Sequence, residues 1–182
     1  MADFNPIENR NFLTPTGFKF VLEKSPAVSF FCNQANIPSL DLGIAVQPTY
    51  LKDIDRPGDK LAFGDLSVRF LVDEDLKNYM EIQNWLRGLG YPENLDQIKN
   101  FGRTGNRSMD ARGEERLYSD GTMTILNSSL VSNFLIKFQG LFPYSLTTLS
   151  FDATDTDVEY FTAEASFKYT YYEITDLTGK PL

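Results

Sequence analysis

The chain is expected to fold as a mostly β protein: an antiparallel β-sandwich or barrel with one inserted α-helix. Three observations carry this expectation. Aromatic residues reach 14%, with 15 Phe and 9 Tyr, and aromatic side chains suit a pleated, half-buried surface. Several segments alternate apolar and polar residues at period two, as a strand with one buried face does. One segment, 73–89, instead repeats its apolar residues at helical spacing.

Taken in order, residues 1–16 hold Pro6, Pro15 and no clear period, and read as an N-terminal arm ordered only by docking. The β domain is expected over 17–174. Residues 17–23 form a first strand and Val28–Asn33, with Phe30, Phe31 and Cys32, a second; Pro38 closes it because proline cannot donate to a ladder. Leu40, Leu42, Ile44 and Val46 then alternate until Pro48, and Arg56-Pro57-Gly58-Asp59 reads as a turn. The stretch is an extended excursion that returns at residue 61. Leu66, Val68, Phe70 and Val72 mark the next strand. Leu76, Met80, Ile82, Trp85, Leu86 and Leu89 mark the helix, with Asp73 as N-cap, Glu74 and Asp75 at its positive end, and Gly88, Gly90 and Pro92 ending it.

Residues 93–116 are rich in Gly and in charges of both signs and poor in apolar residues, so they read as a long loop insertion. Strands are expected at Gly121–Leu126, Phe134–Gln139 and about Leu146–Phe151. A last long strand, Tyr160–Tyr172, places Phe161, Ala163, Ala165, Phe167, Tyr169 and Tyr171 on one face and Tyr160, Thr162, Glu164, Ser166, Lys168, Thr170 and Tyr172 on the other. Residues 175–182 read as a C-terminal tail.

Composition narrows function. The chain contains no histidine, which removes the usual general base, the commonest metal ligand and every Ser-His or Cys-His pair. A single cysteine, Cys32, permits no internal disulfide and suits a reducing compartment; in its aromatic strand it reads as a buried, inert thiol. The net charge of −8 repels nucleic-acid phosphate. No apolar run is long enough to span a bilayer, so no membrane partner is expected.

The candidate motifs are weak. Gly102-Arg103-Thr104-Gly105-Asn106-Arg107 lacks the Gly-Lys-Ser/Thr ending and the strand-to-helix setting of a phosphate loop. Asp152, Asp155, Asp157 and Glu159 space carboxylates as a hard-cation site would, without the EF-hand glycine or closing glutamate. A solvated turn explains them more simply. Nothing assembles an active site, so the chain is read as a non-enzyme with no cofactor. The surplus of strand edge points to a self-assembling protein whose sheets continue across subunits.

The order of these motifs carries a resemblance. An early Phe-rich strand pair precedes an excursion ending in Arg56-Pro57-Gly58-Asp59-Lys60 and Phe63. Then follow the Val68–Val72 strand, Asp73-Glu74-Asp75 opening a helix with Trp85, Gly140-Leu141-Phe142-Pro143, Leu149-Ser150-Phe151-Asp152 and the terminal strand. The series, over 17–92 and 117–174, resembles the tail tube protein family of contractile, T4-like bacteriophages.

The resemblance implies a virion protein, made in the host cytoplasm, whose homohexameric rings stack into the inner tail tube that conducts double-stranded DNA. Its implied partners are itself, the tail sheath, and the baseplate and terminator proteins. It implies inter-ring stacking through Leu42, Ile44, Val46, Tyr50, Ile54, Arg56 and Asp59. Asp155, Asp157, Glu159, Glu164 and Lys168 become candidates for the lumen wall, and Phe161, Phe167, Tyr169 and Tyr171 for an inter-subunit sheet. Alternatives are a tube-initiating baseplate subunit or a tube terminator of the same fold, and, outside this class, a carboxylate-dependent metal-binding module.

Overall fold

The computed structural model describes residues 12–90, 118–152 and 160–182. In chain order its elements are β1 (Phe18–Leu22), α1 (Pro26–Phe30), β2 (Cys32–Ala35), β3 (Leu40–Gln47), β4 (Ile54–Phe63), β5 (Leu66–Leu71), α2 (Lys77–Gly90), β6 (Ser119–Leu126), β7 (Ser132–Leu146), β8 (Thr162–Lys168) and β9 (Tyr171–Thr175). Their strand pairings are all antiparallel. Among the described residues, seven strands share one sheet in the order β1-β6-β7-β8-β5-β2, with β9 also on β7, and β3 and β4 form a hairpin of their own. The mostly antiparallel β class expected from the alternating segments is the class observed. The 93–116 insertion, the Gly102–Arg107 motif and Asp155, Asp157 and Glu159 lie outside the described residues.

The sheet turns a corner at Gly140. Two expected strands, 134–139 and about 146–151, are replaced by one 15-residue strand, β7. Its first half pairs with β9 through Leu135–Gln139 and its last residues pair with β8 through Phe142–Leu146. Conversely, the single strand expected over 160–172 is two, β8 and β9, broken at Tyr169–Thr170. Both differences have one cause. Gly140 sits at φ +67, a region that a side chain disfavours, and Thr170 N donates to Gln139 O at 2.9 Å across the bend. The two strands therefore bend together.

The bend also reverses the alternation. Ala163, Ala165 and Phe167 are fully buried on β8. After Thr170 it is Tyr172 that faces inward, 5.8 Å from Phe138 between ring centroids. Tyr171, expected on the Phe167 face, points outward and donates its hydroxyl to Gln139 Oε1 at 2.5 Å.

Three other expectations need correction. Most of Val28–Asn33 is not a strand: α1 occupies Pro26–Phe30, with Pro26 in its first turn, and β2 begins only at Cys32. Pro26 cannot donate to a ladder and its fixed φ suits a helix start. Ser29 Oγ accepts from Leu22 N at 2.7 Å, holding the turn against β1. Arg56-Pro57-Gly58-Asp59 is not a turn but lies inside β4. Finally, α2 starts at Lys77, four residues after the expected cap at Asp73.

Asn78, rather than Asp73, anchors that helix. It is fully buried, donates Nδ2–H to Leu71 O at 2.7 Å and accepts from Tyr79 N at 2.8 Å. The buried stripe is Asn78, Ile82, Trp85 and Gly88, so the helix runs through Gly88, while Leu76 and Met80 of the expected face are exposed. Trp85 closes on Phe167 at a centroid distance of 6.2 Å. With Phe70 and Phe138 these are the largest fully buried side chains among the described residues.

A Cβ on Gly140 would stand 2.6 Å from Thr170 Oγ1. Gly140→Ala is expected to destabilise the fold by about 1–3 kcal/mol, the range for a strained backbone position. Chemical denaturation checks this; an unchanged midpoint and slope would show that the corner tolerates a side chain.

Candidate assembly interface

The hairpin β3–β4 is the candidate functional surface. All eight residues of β3 are exposed, and so are eight of the ten in β4. Ten residues of extended chain reach about 30 Å, so the hairpin is a projecting arm. Cross-strand register places Leu40 opposite Phe63, Leu42 opposite Leu61, Ile44 opposite Pro57 and Val46 opposite Asp55. Directly opposed residues share a face. One face is therefore almost wholly apolar: Leu40, Leu42, Ile44 and Val46 from β3, with Pro57, Leu61 and Phe63 from β4. Ile44 is 70% exposed.

Two glycine contacts shape the arm. The register shifts between Leu42 and Ile44, so that Gly58-Asp59-Lys60 bulge opposite Gly43. A Cβ on Gly58 would lie 2.4 Å from Gly43 O, and only glycine permits that approach. At the neck, Gly64 N donates to Ser39 O at 2.9 Å, and a Cβ on Gly64 would meet Ser39 Oγ at 2.7 Å.

Phe63 fixes the arm to the body. Its ring packs edge-on to Tyr169 at 6.0 Å and to Tyr172 at 5.8 Å, while Tyr169 donates its hydroxyl to Gly64 O at 2.9 Å. Burial, then the nearby Tyr172 and Asp65, raise the Tyr169 phenol to about 12, so it stays a neutral donor. The apolar face of the arm thus starts beside the core and runs outward from it.

The seven residues expected to stack between rings all lie on this arm or its tip. Leu42, Ile44 and Val46 share the apolar face. Ile54 and Arg56 take the other face, where Arg56 Nε donates to Gln47 Oε1 at 3.1 Å. Asp59 sits in the bulge, and Tyr50 at the tip is fully exposed. Leu51 beside it (91% exposed), Leu61 and Phe63 belong to the same surface and were missed. The signal was present: Leu61 and Phe63 continue the period-two pattern once Pro57-Gly58 is read as a bulge.

The lumen candidates separate. Glu164 lies on β8 in register with Arg69 of β5. Lys168 forms an ion pair with Asp65, whose Oδ2 also accepts from the Tyr144 hydroxyl at 2.6 Å. The Lys168 and Tyr144 hydrogen bonds hold the Asp65 carboxyl below its usual range, so Lys168 presents a neutralised charge. Among the inter-subunit candidates, Phe167 is buried inside the protomer and Tyr169 packs at the neck, so neither offers a free side chain. Phe161 is partly exposed, with its ring 4.7 Å from that of Phe151.

Cys32 is half-buried and burial raises its thiol to about 11, which keeps it protonated and unreactive. No group of three metal-ligating side chains occurs among the described residues. No described helix is long and apolar enough to cross a membrane.

No family model matches the chain. A sequence relative is the tail tube terminator protein of Enterobacteria phage T4, 24% identical over 177 residues, covering 94% of this chain and 90% of the relative. The fold matches the tube-terminating cap of the anti-feeding prophage, with a TM-score of 0.58 at 13% identity over 97% of this chain and 99% of the other. This chain has the fold of that cap protein. Its fold also matches a chain of the extended sheath–tube complex of an extracellular contractile injection system, with a TM-score of 0.53 at 14% identity over 97% and 100% of the two chains. The tail tube fold thus occurs in both cap and tube assemblies, and fold alone does not choose between them.

Two variants separate arm from core. Ile44→Asp with Val46→Asp changes exposed positions, so stability is expected to shift by less than about 0.5 kcal/mol per site, while self-association is lost. Gly58→Ala is expected to unzip the arm and leave the main thermal transition in place. Calorimetry beside sedimentation velocity reads both; undiminished association of the double variant would remove the apolar face from the interface.

Proposed function

We propose that the protein is a tail tube terminator: a structural subunit of a contractile phage tail that closes the end of the tube. The observation that carries this reading is the sequence relationship to the phage T4 tail tube terminator, which runs through nearly the whole chain. It favours the capping role over the main tube subunit, the first expectation from the sequence.

The structure supports an assembling role. A two-stranded hairpin is marginal in water by itself, and burying each Leu, Ile or Val of the arm is worth about 1.5–3 kcal/mol. An arm of this length with one apolar face is therefore stabilised by contact with another subunit. Identical arms meeting a different surface of the next copy make a heterologous contact, which closes into a ring when the rotation permits. We take that ring to be a homohexamer, as the tail tube resemblance implies, with the last tube ring and the sheath end as its neighbours. Nothing in this reading requires catalysis, and the protein's place is the virion.

Passage of DNA through such a ring fits the net charge of −8, which disfavours adhesion of phosphate. Lys168, neutralised by Asp65, does not oppose that.

A terminator stops growth where a tube subunit propagates it. Added to tubes growing from the cognate tube protein, the purified chain is expected to shorten them in proportion to its concentration, with rings at tube ends by negative-stain electron microscopy. Long tubes formed by this chain alone would instead make it the tube subunit.

A further inference from the structure

The outer edge of β9 is a strand-pairing surface that the other described strands leave uncovered. β8 has β7 on one side and β5 on the other. β9 continues the line of β8 past the bend, yet pairs with β7 alone among the described strands. The chain that would cover it has left: beyond the start of β5 it peels away at Gly64 into the arm. Ile174 turns its backbone to this edge, since its carbonyl accepts from Leu182 N at 3.2 Å. By the alternation of a strand, Tyr172 turns its N–H and C=O the same way. Such an edge is a template for a strand of another chain.

We propose that residues 176–182 act as an edge guard, folding back over the far end of β9 to prevent a second copy from pairing with it. The segment is built for this position. Asp176 N donates to Lys180 O at 2.8 Å, and Thr175 bridges to Pro181. The Asp176 carboxylate accepts from Thr178 N and Lys180 N, each at 2.8 Å, and from Thr178 Oγ1 at 2.7 Å. Gly179 supplies the positive φ of the reversal, +88. These bonds make a tight turn that returns the chain to the strand it has just left. Pro181 lacks an N–H, so the added layer is itself a poor template.

The guard has a function that a plain tail would not. The projecting arm makes the intended contact between copies through side chains. An open β9 edge would compete through backbone hydrogen bonds, which carry no sequence preference. Covering the edge keeps association on the arm. The inference does not depend on whether the protein is a terminator or a tube subunit, because both need ordered rather than edge-to-edge assembly.

The test compares the full chain, a chain ended at Thr175, and the ended chain carrying Ile174→Pro. Ile174 N–H does not point at β7, so proline there removes an outer donor without breaking the β7–β9 ladder. Each is examined by sedimentation velocity across concentration, with circular dichroism confirming the fold. The ended chain is expected to associate at a concentration at least tenfold lower than the full chain, and Ile174→Pro to reverse this. Equal association of full and ended chains, or association that survives Ile174→Pro, overturns the guard. If the ended chain fails to fold, Asp176→Ala in the full chain decides. Faster amide exchange at Asp176 and Leu182 with stronger association supports the guard, and unchanged exchange or unchanged association overturns it.

Discussion

The bend at Gly140 and Thr170 is the constraint on which the remaining structure depends. On the edge that does not pair with β6, a flat β7 could carry one long neighbour and no more. Bent where Gly140 takes a positive φ, it presents its first half to β9 and its last residues to β8. The corner brings Tyr169 and Tyr172 together, with centroids 6.0 Å apart, and their rings receive Phe63. Phe63 in turn fixes the point at which the chain departs into the β3–β4 arm. A single backbone feature in the second half of the chain therefore positions an element in the first half.

The arm converts a small domain into an assembling one. The body buries its largest apolar residues against α2, and Asn78 satisfies its polar groups where the helix meets β5. Among the described residues the arm has no such partner inside the protomer. Its apolar face continues outward from the neck, and in the proposed ring burial of that face against another subunit is favourable. The opposite face carries Asp41, Gln47 and Arg56, polar groups that water can solvate. The two faces thus divide the work of association and solubility.

Much of this was legible in the sequence, for physical reasons. Period-two alternation located β1, β5, β6, β8 and β3, because a half-buried strand needs it. The helical stripe located α2, with Trp85 in the core. The arm was visible as an excursion with no core of its own, and all seven of its proposed contact residues lie on it or its tip. What failed depended on backbone conformation rather than burial. Pro57-Gly58 has the composition of a turn, yet in β4 the proline occupies an exposed strand and the glycine lies against Gly43. Pro26 and Ser29 turned apparent strand residues into α1 through local contacts with β1. The 160–172 alternation looks continuous because inward and outward positions around Thr170 are both aromatic, which hides the reversal between Tyr169 and Tyr172. Phe167 was assigned to an interface because a buried core face and a buried interface face share one pattern.

The proposed capping role fixes where in a tail the chain sits and how many copies it has there. The direct measurement is the copy number and position of the chain in assembled tails, by cryo-electron microscopy of intact particles with quantitative mass spectrometry of the same sample. A single ring at one tube end, constant across tails of different length, is the predicted result. Copies distributed along the tube in proportion to its length would contradict it.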